Sequence, residues 1–421
     1  MLSLSDLDVD NRRVLVRVDF NVPLNADGTV RDDTRIRAAL PTLRALRERS
    51  ARLIIASHLG RPNGTFKPEL AIEPVGARLA ELLECEVRVP DEVVGDGVTK
   101  LVNDTTNKQV VLLQNLRFHP GETKNDPQLA TALAALADAY VNDAFGACHR
   151  SHASVVGVAA MVAARAPGLL LERELKSLRR LVHEPARPFV AILGGAKVSD
   201  KLSVLVALVE QFRAGDALLI GGAMANTFLA AAGGEVGASL HEPDRFRDCK
   251  TILEKAAARD IRVVLPTDVL VGHGLDTPEA THLRLGARPM GGEEMALDIG
   301  PDSVEQFAQV LSRAKTIFWN GPMGLFENPA FAQGTLGVAK AVAESQAFSV
   351  VGGGDSVAAL HQSGLADQIG HVSTGGGASL ELIEGKILPG IAALRPDPPP
   401  FDSEPGAEPD LDDDPYAEDG R

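Results

Sequence analysis

Short runs of β-branched and aliphatic residues alternate with segments of helical period along nearly the whole chain, and this alternation leaves few folds open. The spacing predicts strands at Arg13 to Val18, Leu53 to Ser57, Val110 to Leu113 and Ala139 to Asn142 in the first half. In the second half it predicts Phe189 to Leu193, Ala217 to Ile220, Ile261 to Leu265, Thr316 to Trp319 and Phe348 to Val351. Strands separated by helices form parallel sheets covered by those helices, which is an α/β fold. Between the two sets, Leu169 to Leu181 carries apolar residues at 171, 175, 178 and 181 with charges between them. That period gives a helix with one buried stripe, read either as a stiff connector between two lobes or as an ordinary surface helix.

A chain of 421 residues with 45% apolar content is long enough for two domains with full cores. The formal charge of −15 is unevenly distributed, because Pro396 to Arg421 holds ten acids against one arginine and so supplies −9 of it. The remainder leaves room for local arginine clusters that attract phosphates, and nothing points to nucleic acid. Cys85, Cys148 and Cys249 are odd in number and widely spaced, which fits a reducing compartment better than a disulfide framework. The acidic N-terminus is not a signal peptide, and the longest apolar run, Val155 to Ala164, is too short to span a bilayer. The expectation is a cytoplasmic protein.

In open α/β sheets ligands bind beyond the carboxyl ends of the strands, so the residues just after each strand carry the most information. They are Asp19-Phe20-Asn21, His58-Leu59-Gly60-Arg61, Asn115-Leu116-Arg117 and Asp143-Ala144-Phe145-Gly146, with His149-Arg150 close behind. Arginine and histidine offer charge-assisted hydrogen bonds to phosphate and carboxylate, while Asp and Asn accept from hydroxyls. Any one of these residues also reads as a surface ion pair or a turn-former. Together they suit a small molecule carrying phosphate, carboxylate and hydroxyl groups. Arg35 follows Asp33-Thr34, either of which could cap a helix, and taken alone it reads as a solvated helix charge.

The second half places glycines at the strand ends. Gly194-Gly195-Ala196-Lys197 precedes a helix predicted over Val198 to Gln211, with Lys201 one turn after Lys197. Two lysines at a helix N-terminus add to the positive end of its dipole, so the pattern reads as a phosphate site, a solvated face being the alternative. Gly221-Gly222 permits close backbone approach. Trp319 to Glu327 sets the only Trp beside a turn and a carboxylate. Gly352-Gly353-Gly354-Asp355-Ser356 and Ser373-Thr374-Gly375-Gly376-Gly377 each open a helix whose N–H groups can cup a phosphate, and Asp355 is placed to reach Mg²⁺. Each glycine run alone is equally a tight strand-to-helix turn. No GxxxxGK[ST] occurs, and GGGDSV lacks the GxGxxG spacing, so a nucleotide site here is of another design. After Leu394 the composition turns to prolines and acids, which predicts a disordered, solvating tail over 396–421.

In their order, the segments RVDFNVP (17–23), SHLGRP (57–62), NLRF (115–118), NDAFG (142–146), GGAKVSDK (194–201), WNGPMGLFE (319–327), GGGDS (352–356) and STGGGASLELIEGK (373–386) resemble the signatures of the phosphoglycerate kinase family. The resemblance runs from about residue 4 to 394. It implies two Rossmann-like three-layer αβα lobes with parallel sheets, joined by a hinge helix. The N-terminal lobe, 1–168, would bind 3-phosphoglycerate and be rejoined by 385–395; the hinge helix would be 169–184 and the nucleotide lobe 185–384. The implied activity is phosphoryl transfer between 1,3-bisphosphoglycerate and MgADP in a monomer, with no membrane or nucleic-acid partner.

The resemblance also assigns roles. Asp19 and Asn21 would meet the hydroxyl and carboxyl region of the glycerate, within a substrate site that includes Phe20, Leu59 and Gly60. His58, Arg61, Arg117 and Arg150 would grip its non-transferred phosphate. Arg35 and Lys197 would stabilise the transferring group from the two sides, with Gly375 and Gly376 facing it. Lys201, Asn320, Glu327, Gly353, Gly354 and Ser356 would serve the nucleotide, with Glu327 at the ribose, and Asp355 would hold Mg²⁺.

Some positions depart from the family pattern: Ala147-Cys148 stands where Thr-Ala is common, and Ala223 and Ala296 replace glycines. Cys148, His149 and His152 do not have the spacing of a recognised metal site. Two rival readings are a silent binding protein on the same fold and a kinase for another carboxylate. Lys197, Lys201, Arg35 and Asp355 count against the first, and a full phosphate grip against the second.

Overall fold

The structure is a computed structural model and describes residues 1–396; the predicted disordered tail lies outside the described residues. The chain divides into two compact units, the first comprising Met1–Leu171 with the segment from Leu388 onward, the second Glu172–Ile387.

The first unit is built on a six-stranded parallel sheet. Its strands are β1 (Arg13–Arg17), β2 (Arg52–Ala56), β3 (Val87–Arg88), β4 (Val110–Leu112), β5 (Ala139–Asn142) and β6 (Arg165–Pro167), in the order β3-β4-β2-β1-β5-β6. β1 lies in the middle, with Val14 opposite Leu53 on one side and Ala139 on the other. Both faces of such a sheet must be covered, which explains the apolar runs 14–16, 53–56 and 110–112 in its central strands. Val14, Val16, Leu53 and Ile55 pack against Ile36, Leu40 and Leu43 of the helix Thr34–Glu48. The short helix Pro389–Ala392 is seated on this unit, where Gly390 N–H donates to the Cys148 carbonyl at 2.9 Å. A Cβ at Gly390 would come within 2.6 Å of Val155, so only glycine fits there.

The second unit repeats the plan with β7 (Phe189–Leu193), β8 (Ala217–Ile220) and β9 (Arg262–Val264). After them come β10 (Asp268–Gly272), β11 (Thr281–Arg284), β12 (Met295–Ile299), β13 (Thr316–Asn320), β14 (Phe348–Gly352) and β15 (His371–Val372). The parallel sheet has the order β15-β14-β13-β7-β8-β9, and β11-β10-β12 form a separate antiparallel sheet. Ile192, Leu219, Trp319 and Phe307 lie in its core.

Three features differ from the sequence reading, the first being that the short edge strands β3, β6 and β15 were not expected, since two or three residues carry no periodicity. The small antiparallel sheet was not expected, because β11 is largely exposed and its THLR sequence lacks an apolar run. The helix expected over Val198 to Gln211 begins only at Leu202, with Lys201 as its N-cap. The intervening residues form a turn because the Lys201 ammonium is drawn back onto the carbonyls of Gly194 (2.7 Å) and Asn320 (3.0 Å). Lys197 and Lys201 therefore do not share a helix face.

The connecting helix spans Leu169–Val182. Its first N–H groups are capped from the first unit: Asp143 Oδ1 accepts from Leu170 (2.9 Å) and Leu171 (3.2 Å), and Thr42 Oγ1 from Leu169. A carboxylate at a helix N-terminus satisfies donors that have no partner within the helix and complements its dipole. Among the described residues no helix is long and apolar enough to cross a membrane.

Candidate active site

In the first unit the carboxyl ends of β1, β2, β4 and β5 bring Asp19, His58, Arg117 and the residues after Asn142 to one edge of the sheet. Arg35, at the start of the helix Thr34–Glu48, donates to Asp19 Oδ2 at 2.7 Å, so it is paired rather than simply solvated. Burial works against the charge of Asp19, but His58, Arg35 and Arg17 outweigh it and hold the carboxyl below its ordinary range. Asn21 Oδ1 accepts from Gly60 N–H at 2.8 Å, and Arg117 donates to the Gly60 carbonyl at 2.7 Å, which ties the SHLGRP loop to both neighbouring strand ends. Phe20 and Leu59, expected in the substrate site, are buried in the core, and their backbone is engaged as well: Phe20 N–H donates to Ser57 Oγ, and Leu59 exchanges hydrogen bonds with the Asn115 side chain.

A cavity of about 320 Å³ opens here, lined by Arg61, Asn63, Gly64, Arg117, His119, Thr123, Arg150 and His152. Three guanidinium groups around one small volume make an anion site, and their planar forks suit phosphate oxygens. Burial pushes the His58 pKa well below its usual value, and burial together with Arg17, Arg117 and Arg150 brings His152 down to about 3.

In the second unit the ends of β7, β13, β14 and β15 gather the glycine loops. Gly222 has φ +65°, and a Cβ there would fall 2.6 Å from Gly195 N and 2.9 Å from the Pro322 carbonyl, so three loops converge on backbone alone. Gly353 is the N-cap of the helix Gly354–Ser363 at φ +97°, and Gly375 is the N-cap of Gly376–Ile383. Both helix starts present N–H groups, and neither has a side-chain cap. Lys201 is mostly buried beside them, and burial lowers its pKa to about 8 although Asp355 and Asp200 favour its charge. Lys197, Glu327 and Asp355 are exposed. Asp355, in the first turn of its helix, is an exposed hard oxygen donor of the kind that suits Mg²⁺.

Besides Lys201, whose ammonium bonds the Gly194 and Asn320 carbonyls, two more of the expected nucleotide residues are engaged in holding these loops. Ser356 Oγ accepts from Gly321 N–H at 2.5 Å, and Asn320 Nδ2 donates to the Gly352 carbonyl at 2.9 Å, joining the ends of β13 and β14. The sequence reading missed Arg17, His119, Glu122, Thr123 and Ser154, which build or support the cavity. Their one signal was a charged residue, Arg17, closing the apolar run 14–16 of β1. Among the described residues one further group could ligate a metal, Asp268 with His282 and Asp302. There both Asp268 oxygens already accept hydrogen bonds, from Ser303, Asp302 N–H and His282, which makes it the cap of the helix Pro301–Leu311.

The sequence profile of the family described as phosphoglycerate kinase matches residues 4–386. The phosphoglycerate kinase of Anaeromyxobacter dehalogenans (strain 2CP-C) is 52% identical over 398 residues, covering 93% of this chain and 99% of the relative. That of Moorella thermoacetica is 51% identical over 393 residues, covering 93% and 98%. The solved structure of phosphoglycerate kinase from Coxiella burnetii superposes with a TM-score of 0.82 at 41% identity, covering 93% of this chain and 98% of that one. The corresponding crystal structure from Pyrococcus horikoshii OT3 gives 0.82 at 33% identity, covering 94% and 98%. With glycine-built loops in one unit and an arginine-lined cavity in the other, the chain belongs to the phosphoglycerate kinase family, enzymes that transfer a phosphoryl group to a carboxyl group.

Proposed function

We propose that this chain catalyses the reversible, Mg²⁺-dependent transfer of a phosphoryl group from 1,3-bisphosphoglycerate to ADP, giving 3-phosphoglycerate and ATP. The observation that carries the reading is the cavity lined by Arg61, Arg117 and Arg150 close to the Asp19–Arg35 pair, a phosphate grip near a hydroxyl-directed carboxylate. Asp19 and Asn21 would orient the glycerate, and the arginines would hold the phosphate that stays behind. In the second unit, the N–H groups at Gly353, Gly354, Gly375 and Gly376, with Lys201, would bind the nucleotide phosphates, and Glu327 the ribose. Magnesium arrives with the nucleotide as part of the substrate, and Asp355 would ligate it.

Such a reaction asks little covalent chemistry of the protein. The acceptor, a carboxylate or the terminal phosphate of ADP, is already ionised, so no general base is needed. What is needed is in-line placement and positive charge at the equatorial oxygens of the transferring group. Arg35 and Lys197 would supply that charge from the glycerate and nucleotide sides. Direct transfer also requires the two substrates to meet, and we assign that step to closure of the units, which would exclude water and protect the acyl phosphate from hydrolysis.

The test is coupled turnover of ATP and 3-phosphoglycerate with Mg²⁺, comparing the native chain, Lys197→Ala and a chain ending at Leu394. Native turnover that is lost in Lys197→Ala supports the reading, and its retention in the truncation shows the acidic tail to be dispensable. A folded native protein that binds nucleotide without turnover would overturn it in favour of a silent binding protein.

A further inference from the structure

Behind the arginine-lined cavity lies a buried relay that the substrate reading does not use. Arg17 is 1% exposed, and its three guanidinium nitrogens are all engaged. Nε donates to Ser154 Oγ at 2.8 Å, Nη1 to the Val18 carbonyl, and Nη2 to His58 Nδ1 at 3.2 Å. Ser154 Oγ in turn donates to Glu122 Oε1 at 2.6 Å, and Ser154 N–H donates to Glu122 Oε2 at 3.1 Å. Glu122 is fully buried, with His152 Nδ1 3.7 Å from Oε1. Ser154 is held from every side: its carbonyl accepts from Tyr140 OH at 2.9 Å, and it sits in a π-helical turn, Ala153–Gly157. Such turns are rare and concentrate at functional sites.

The direction of each bond is fixed by chemistry. A guanidinium has no acceptor, so His58 Nδ1 must accept and the ring proton must sit on Nε2. A carboxylate only accepts, so the serine hydroxyl must donate to Glu122, which leaves its lone pairs for Arg17. The bonds therefore diverge from Arg17, which donates to His58 on one side and to Ser154 on the other, and Ser154 donates onward to Glu122, so that Glu122 and Ser154 hold the guanidinium in place against His58. We propose that Glu122, acting through Ser154 and Arg17, is a positioning residue that fixes His58 as the Nε2–H tautomer and so presents a neutral donor to the substrate's anionic group. The recognition half of this statement rests on the function proposed above; the tautomer half does not. Besides Arg17, the charged and titratable groups facing His58 are Asp19 at the end of β1, Arg117 beyond β4 and His152 beyond β5. Without the relay, Asp19, 4.0 Å from His58 Nδ1, is the group positioned to draw a proton onto that nitrogen.

The experiment is nitrogen-detected NMR of ¹⁵N-histidine-labelled full-length protein at neutral pH, with His58→Gln used to assign the resonance among the ten histidines. Binding of 3-phosphoglycerate is measured on the same samples. The native chain is expected to show bare Nδ1 and protonated Nε2. In Ser154→Ala and Glu122→Gln the Nδ1-protonated or doubly protonated form should appear, with 3-phosphoglycerate affinity about tenfold to a hundredfold weaker. Ser154→Thr, which keeps the hydroxyl, should restore both. A folded Ser154→Ala protein whose His58 signals match the native ones would overturn the proposal, even if its affinity fell. Failure of the native chain to bind 3-phosphoglycerate would instead overturn the substrate reading and leave the tautomer result to stand by itself.

Discussion

Glu174 and His371 form a fully buried hydrogen bond, carboxylate to imidazole Nε2, at 2.7 Å. The other oxygen of Glu174 accepts from Thr374 N–H at 2.6 Å and Thr374 Oγ1 at 2.8 Å. Glu174 lies one turn into the connecting helix, and Thr374 stands immediately before the glycines that open the helix Gly376–Ile383. One carboxylate thus ties the connecting helix to the loop assigned to the transferring phosphoryl group. Glu174→Gln keeps the shape but places an NH₂ where donors converge, so the mutant is expected to lose about 1–3 kcal/mol of stability. On the proposed function kcat should fall while the KM values change little, because the loop is misplaced rather than removed. Thermal unfolding and steady-state kinetics measure the two effects.

Arg35 and Asp19 give a second prediction. The pair is partly exposed, with Arg35 at 38% and Asp19 at 12%, so its worth to stability is small. On the proposed function, its worth to catalysis is the placement of a fixed positive charge. Arg35→Ala is expected to cost on the order of 10² to 10³ in rate, roughly 3 to 4 kcal/mol, mostly in kcat, with a thermal midpoint close to native. A loss confined to KM would remove Arg35 from the transferring group.

Much of this arrangement was legible in the sequence, for physical reasons. Fully buried parallel strands such as β7 (FVAIL) are uninterrupted apolar runs, and the residues proposed to bind ligand follow them at once. Two-residue strands such as β3 and β15 have no periodicity to read. The Lys197–Lys201 spacing suggested a helix because a period of four cannot distinguish a helix from a turn that folds back on itself. Arg17 and Glu122 were hidden for a different reason. Each is a buried charge made tolerable by partners far along the chain: Arg17 and Ser154 are 137 residues apart. Pairings of that kind exist only once the strand order is known.

On the proposed function, Lys201 would link pH to nucleotide binding. Burial lowers its pKa to about 8, so the ammonium is charged below that pH and neutral above it. If Lys201 contacts nucleotide phosphates, KM for ADP should rise as pH passes through about 8. Lys201→Met should show a high KM at every pH with no such limb. The sign for stability is separate. Because the folded pKa lies below the unfolded one, folding is favoured above the unfolded value of 10.5, and that contribution is lost as pH falls through about 8. A KM for ADP that stays flat across pH 7 to 9 in the native enzyme would exclude this role for Lys201.

Asp298 titrates in the opposite sense. It is 4% exposed, and it accepts from Ile299 N–H at 2.9 Å and from Gly334 N–H, in the first turn of the helix Gln333–Glu344, at 2.6 Å. Burial nevertheless dominates those two bonds and pushes its pKa up to about 8. A pKa raised on folding contributes stability that is complete below the unfolded value of 3.8 and is lost as pH rises through about 8, where the buried carboxyl must ionise. A shift of roughly four units corresponds to about 5 kcal/mol. A Cβ at Gly324 would lie 2.2 Å from Asp298 Oδ1, so the loop that leads to Glu327 rests directly on this side chain. The native protein should therefore lose thermal stability progressively from about pH 4 to about pH 8, and nucleotide affinity should weaken as the folded protein is taken through about pH 8 and that loop loosens. Asp298→Asn, which cannot ionise and keeps one acceptor oxygen, should unfold at a temperature nearly independent of pH across that range. If native and mutant midpoints fall in parallel, Asp298 is not the titrating group.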